Sequence, residues 1–173
     1  MDESRERIPV SIAVLTVSDT RTEETDASGH LLVERAQAAG HRVHAKLILK
    51  DDRDLVVAQL RAWIAAGTVD VILVTGGTGI TGRDVTPDAV LEVIEKEIPG
   101  FGEHLRRVSL ETVGLAAIQS RATAGVAGST LVFAIPGSTG ACRDAWDQIL
   151  VHQLDSRYRP CNLVEMLPRL AER

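Results

Sequence analysis

The chain has 173 residues, 45% of them hydrophobic and 25% charged, an ordinary globular composition long enough for one core over both faces of a sheet. Aromatics make up only 3%, so the core must be built from Val, Leu, Ile and Ala, and stacking platforms for single-stranded nucleic acid are disfavoured. The formal charge of −5 also argues against nucleic acid; an anionic ligand would need local help from backbone amides, arginines or a metal ion. Met1 to Pro9 lacks the apolar stretch of a signal peptide, and no run is long enough to span a bilayer. Cys142 and Cys161 are not a CxxC pair and read as reduced thiols of a cytoplasmic protein.

Ile12 to Val17 is short, continuous and rich in branched residues, which predicts a buried strand. After Ser18-Asp19-Thr20 and a polar loop, a helix should run from about Ala27 to Ala39 and end at Gly40. A second strand spans Val43 to Leu49 and exits at Lys50-Asp51-Asp52. Val56, Leu60, Trp63 and Ile64 then recur on one helical face, with Gly67 beyond the end. Val69 to Val74 is a third strand and leads into a glycine-rich loop. Thr86-Pro87 should open a helix whose stripe is Val90, Leu91, Ile94 and Ile98, with Pro99-Gly100 stopping it. A helix to about Leu110 and irregular chain to Gln119 should follow. Arg121 to Val126 and Thr130 to Ile135 read as a hairpin, which makes one strand antiparallel. Pro136-Gly137-Ser138 leads into a long last helix carrying Cys142, Ala145, Trp146, Ile149 and Leu150 on one face.

Alternating strands and helices predict a three-layer, doubly wound α/β fold with a mostly parallel sheet. The expected organisation is a single domain over 1–173, with 1–10 and 155–173 as terminal extensions. Ligands of such sheets bind outside the carboxyl ends of the strands. Four exits on that edge are chemically unusual: Ser18-Asp19, Lys50-Asp51-Asp52, Thr75 to Asp84, and Pro136-Gly137-Ser138. Each alone suits a turn or a helix cap; their convergence suggests a site.

Gly77 to Gly82 matches GxGxxG literally, but Pro87 starts the helix about four residues too late for a dinucleotide fingerprint, and no P-loop Lys follows. The loop offers backbone amides near a helix N-terminus, an environment that favours an anion. Asp51 and Asp84 beside a phosphate would repel it unless a divalent cation lay between, which suggests Mg²⁺ and a nucleoside triphosphate. The structural alternative makes Asp51 a helix cap and Asp84 a partner of Arg83. His41 and His44, three apart on a strand, should point to opposite faces and form no metal pair.

Val17-Ser18-Asp19, Thr75-Gly76-Gly77-Thr78-Gly79, Arg83-Asp84-Val85-Thr86-Pro87-Asp88-Ala89, Pro99-Gly100-Phe101-Gly102-Glu103, Gln119-Ser120-Arg121 and Pro136-Gly137-Ser138 occur in that order. In this the sequence resembles the MoaB/MogA family of molybdenum-cofactor biosynthesis proteins, related to the gephyrin G domain. The likeness runs from about Ile12 to Pro160, and Ser156 to Asn162 looks like the MoaB branch. The resemblance implies the molybdopterin-binding fold in a homotrimer or homohexamer. It also implies adenylylation of molybdopterin by ATP with Mg²⁺, releasing pyrophosphate. The family's two essential acids fall on Asp51 and Asp84, with Asp52 an adjacent candidate. Pterin and phosphate contacts are expected from Ser18, Asp19, Thr75, Gly76, Gly77, Thr78, Gly79, Glu103, Ser120, Pro136, Gly137 and Ser138. The Arg83-Asp84 pair, which some members of the branch lack, is intact. A non-catalytic pterin carrier or scaffold shares all of these fold features.

Overall fold

The strand-length apolar runs pair into one sheet. The computed structural model describes residues 1–170 and 172. Its strands are β1 (Ser11–Val17), β2 (Arg42–Leu49), β3 (Val71–Thr75), β4 (Lys96–Glu97), β5 (Thr123–Ala127) and β6 (Thr130–Ile135), in the order β2-β1-β3-β6-β5-β4. β1, β2, β3 and β6 are mutually parallel; β5 runs against both of its neighbours. The hairpin reading and its single reversed strand therefore hold.

Helices α1 (Ala27–Ala38), α2 (Arg53–Ala66), α3 (Thr86–Val93), α4 (Pro99–Val113), α5 (Thr139–Ala145) and α6 (Val151–Gln153) sandwich the sheet. Period-two alternation assigns the faces. Ile12 and Val14 of β1 pack with Leu32 of α1, Leu105 of α4 and Trp146 beyond α5. Ala13, Leu15 and Val17 pack on the opposite face with Val56, Leu60 and Trp63 of α2 and Ala89 and Val90 of α3. The interiors of β1, β3 and β6 are covered twice, which explains why these runs are continuously apolar rather than alternating.

Two helices differ most from the sequence reading. The helix expected to reach Ile98 ends at Val93, because Lys96–Glu97 pairs with Val126 and Gly125 as an edge strand. Backbone bonds from Glu95 N to Val126 O (2.7 Å) and Ile98 N to Ala124 O (2.7 Å) take the place of helical ones. Pro99-Gly100 then opens α4 instead of stopping α3; a proline in the first turn loses no intrahelical bond. The last helix is also not uniform: a π-helical turn, Trp146–Leu150, separates α5 from α6. Among the described residues, no helix is long and apolar enough to cross a membrane.

His41 lies just before β2 and is buried, whereas His44, within β2, is exposed. His41 is 6% exposed, and its Nδ1 accepts from Val10 N (3.3 Å). Burial, aided by the positive charge of Arg7 and opposed by Asp155, lowers its pKa to about 4. Above pH 6.5 the ring is neutral in both states and stability is intact. Between pH 6.5 and about 4 the unfolded chain takes up a proton that the fold refuses, so stability falls with pH. The loss is roughly 3 kcal/mol once pH is below the folded value. Urea midpoints at pH 7.5 and pH 4.5 should differ accordingly in the native protein, and the difference should shrink in His41→Gln, which does not titrate.

Candidate functional site

Strand register levels the carboxyl edge. Val17 lies beside Leu49, Thr16 beside Thr75, and Thr75 beside Ile135, so the exits of β1, β2, β3 and β6 stand side by side. The chain leaves β1 toward β2 and leaves β3 toward the opposite half of the sheet. A crevice opens where such connections diverge, and here it falls between the β1 and β3 exits.

The glycine turn lets those two exits approach. Gly76 has φ +102° and Gly77 φ +56°, values that L side chains rarely adopt. A Cβ on Gly76 would stand 2.2 Å from Val17 O, and one on Gly137 would stand 2.9 Å from Gly76 Cα. Gly76 N donates to Ile135 O (3.1 Å), so any ligand-binding amide of the turn must come after it.

Around this turn is a cleft of about 230 Å³ lined by Ser18, Asp19, Asp51, Gly77, Arg83 and Asp84, with Thr20 and Thr81. Asp51 and Asp19 are braced reciprocally: Asp19 N donates to Asp51 Oδ2 and Asp51 N to Asp19 Oδ1, both at 3.2 Å. Asp52 takes the other job. Its side chain caps α2 by accepting from Asp54 N (2.9 Å) and Leu55 N (3.1 Å), which leaves Asp51 free to face the cleft. Arg83 does not pair with Asp84; its guanidinium lies 3.8 Å from Asp19. Asp84 Oδ2 instead accepts from Thr81 N (2.8 Å) and Thr81 Oγ1 (2.7 Å).

These surroundings pull the two acids apart. Burial raises the pKa of Asp51, and the like charges of Asp19 and Asp84 add to the shift against the Asp19 amide and Arg83. The Thr81 hydroxyl leads the groups that lower the pKa of Asp84, followed by amides of Thr81 and Gly79 and the charge of Arg121. Asp51 is thus an anion held where anions are disfavoured, the condition a hard cation relieves. Among the described residues no three His, Cys, Asp or Glu side chains form a ready-made metal cage. A pair of carboxylates nevertheless suits Mg²⁺, which binds through one or two acids and completes its shell with water and substrate phosphates.

Arg121 was a motif residue without a role in the sequence reading. In the structure its Nε donates to Gly79 O (2.7 Å), its Nη1 and Nη2 reach the Asp88 carboxylate at 3.1 Å, and Nη2 also bonds Asp84 O. One side chain thereby ties the glycine loop to the start of α3. Together with Thr81 and Asp84 it also lines a second depression, of about 370 Å³, across the 80–84 loop.

The remaining expected contacts are distributed differently. Thr75 is fully buried and bonds Pro136 O (3.2 Å) and Cys142 Sγ (3.1 Å), and Thr78 is buried as well. Gly79 lies against Asp84. Ser138 caps α5 through Ala141 N (3.2 Å), and Gly137 O accepts from Ser28 Oγ (2.9 Å), so Pro136-Gly137-Ser138 forms the turn beside Gly76. Glu103 is not in the acidic cleft; it lines a separate depression with Arg106 and Ile118. Ser120 Oγ accepts from Ala122 N (3.3 Å), and its carbonyl accepts from Arg106 (3.3 Å).

Thr86, at the start of α3, is 0% exposed and its Oγ1 has no hydrogen-bond partner among the described residues. That oxygen lies 3.1 Å from where a Cβ on Gly77 would sit, and Asp51 Oδ1 lies 3.5 Å from the same point. An unsatisfied buried hydroxyl costs about 1–3 kcal/mol. Thr86→Val, which removes it at nearly constant volume, should therefore raise the melting temperature, a change a thermal melt would detect directly.

Comparison with known proteins agrees with this architecture. Residues 13–156 match the family described as "Probable molybdopterin binding domain". The chain is 54% identical over 159 residues to Molybdenum cofactor biosynthesis protein B of Escherichia coli (strain K12), covering 92% of this chain and 94% of that one. A crystal structure of Molybdenum cofactor biosynthesis protein B superposes with a TM-score of 0.87 at 41% identity, covering 98% of this chain and 100% of that one. The tungsten cofactor synthesizing protein MoaB from Pyrococcus furiosus superposes with a TM-score of 0.78 at 31% identity, covering 95% and 98%.

Proposed function

Because the chain belongs to the molybdopterin-binding domain family that includes the MoaB proteins of molybdenum cofactor biosynthesis, we propose that it transfers AMP from Mg-ATP to the terminal phosphate of molybdopterin. The observation that carries this reading is the lining of one cleft by Asp51, Asp84 and the glycine turn. An acid-lined crevice repels a bare pterin phosphate or triphosphate, whereas acids that share a cation attract them.

In this reaction the pterin phosphate oxygen bonds to the α-phosphorus of ATP, the bond from that phosphorus to the β-phosphate bridge breaks, and pyrophosphate leaves. The nucleophile is already an anion at neutral pH, so no side chain has to remove a proton. What the protein contributes is placement and charge compensation between two polyanions. Asp51 and Asp84 would hold Mg²⁺, which when bound would neutralise phosphate charge. Asp19 steadies Asp51 through the reciprocal amide bonds, while Thr81 and Arg121 fix Asp84 and its loop. The amides of the turn beyond Gly76 would receive phosphate oxygens.

The same proposal includes a homotrimer or homohexamer in the cytoplasm. The exposed apolar side chains Leu110, Val113, Leu115 and Ile118, 45–78% accessible, support it by giving neighbouring subunits a surface to cover. The test of function is a coupled assay of pyrophosphate release with molybdopterin and Mg-ATP. Release that depends on both substrates supports the transferase. Pterin binding without release would leave a carrier.

A further inference from the structure

A cavity of about 440 Å³ lies between α4, the end of the last helix and the C-terminal segment, and it shares no lining residue with the acidic cleft. Its walls are unusual for this chain. The sequence contains two Phe, one Tyr and two Trp, and both phenylalanines and the tyrosine line this one cavity, joined by His104 and His152.

The rings form two ready-made pairs. Phe101 and Phe133 meet edge-to-face with centroids 5.0 Å apart, both nearly buried, and make the floor. His152 and Tyr158 lie tilted together at 5.2 Å. Gln148 and Ile149 enter the lining through the π-helical turn, a local widening often found at functional sites. Among the described residues, no Asp, Glu, Lys or Arg lines the space, so a charged guest would lose its hydration without gaining a counter-ion. Polar edges are provided by Gln148 and Gln153, which both line the cavity. The volume suits a small molecule, and rings of this kind stack on or edge against flat guests.

We propose that this cavity is a second ligand site, taking an uncharged fused heteroaromatic ring of the pterin or purine class. It does not depend on the AMP-transfer reading, since it uses none of the same residues.

The test uses 6-methylpterin and adenosine as probes, titrated against the full-length protein by calorimetry. Gly100 lines the cavity, and a Cβ added there meets nothing within 4 Å, so Gly100→Leu should fill the space without disturbing the packing around it. Gln148→Leu, at an exposed position on the wall, is the second variant. The expected result is saturable binding of one ring or both by the native protein, weakened at least about tenfold in either variant. Whichever ring binds identifies the class. Pyrophosphate release should be unchanged in Gly100→Leu. The proposal is overturned if neither ring saturates, or if binding survives both substitutions and the ring therefore sits elsewhere. It is equally overturned if Gly100→Leu alters the particle mass in light scattering while no ring binds the native protein, which would make the cavity a seat for a second copy.

Discussion

Asp84→Asn is expected to reduce pyrophosphate release by roughly a thousandfold, the effect of removing several kcal/mol of charge stabilisation from the transition state. The substitution keeps the shape of the side chain and one acceptor for Thr81, so the loop should remain in place and pterin affinity should change little. Asp51→Asn should be equally damaging to turnover but should not destabilise the fold. Its carboxylate is ionised against burial and the charges of Asp19 and Asp84, and removing that charge relieves the conflict. Mg²⁺ should raise the melting temperature of the native protein and leave that of the double variant unmoved. Equal loss of pterin binding and turnover in Asp84→Asn would refute the assigned role.

Gly76→Ala should be the most disruptive single methyl group along the carboxyl edge of the sheet. The new Cβ would stand 2.2 Å from Val17 O on a residue whose φ is +102°, so both backbone conformation and strand spacing must give way. A loss of about 3–5 kcal/mol is the expected scale for combined strain and overpacking. Because the clash is with the last residue of β1, the Ser18-Asp19 turn should shift with it, and Mg-ATP binding should fall even where the protein still folds. Gly82→Ala is the control: its Cβ would meet nothing within 4 Å, and urea unfolding should place it within about 0.5 kcal/mol of the native protein.

The fold was legible where burial writes a pattern. β1 and β3 are covered on both faces, and their unbroken apolar runs said so. Lys96–Glu97 was not legible, because a two-residue edge strand has no period of its own and Ile94 and Ile98 continued the helical stripe of α3 past its true end. The π-helical turn left no mark either, since Cys142, Ala145, Trp146 and Leu150 keep the three- and four-residue spacing of an ordinary apolar stripe. At the site, the sequence placed Asp51 and Asp84 on the right edge but could not tell Asp51 from Asp52, as either carboxylate can cap a helix. The bonds from Asp54 N and Leu55 N to Asp52 show which of the two caps α2, and the cleft lining shows which faces it. Arg121 was hidden for another reason: its hold on Gly79 and Asp84 spans some forty positions, beyond any local rule. Glu103 could not be excluded from the cleft from sequence, for whether two loops meet depends on the lengths and angles of the elements between them.

The reversed direction of β5 reaches beyond topology. A sheet with every strand aligned can present only strand exits at its carboxyl rim, but an inverted strand presents its entrance there. Thr123, the first residue of β5, pairs with Ala134 near the end of β6, so the residues just before it arrive at the rim from outside the sheet. Arg121 is delivered by that route, anchored by ladder bonds that follow it instead of those that precede it. The 114–120 stretch upstream is accordingly released from any duty to set the arginine's height, and relatives could lengthen or shorten it while the guanidinium kept its grip on the glycine loop.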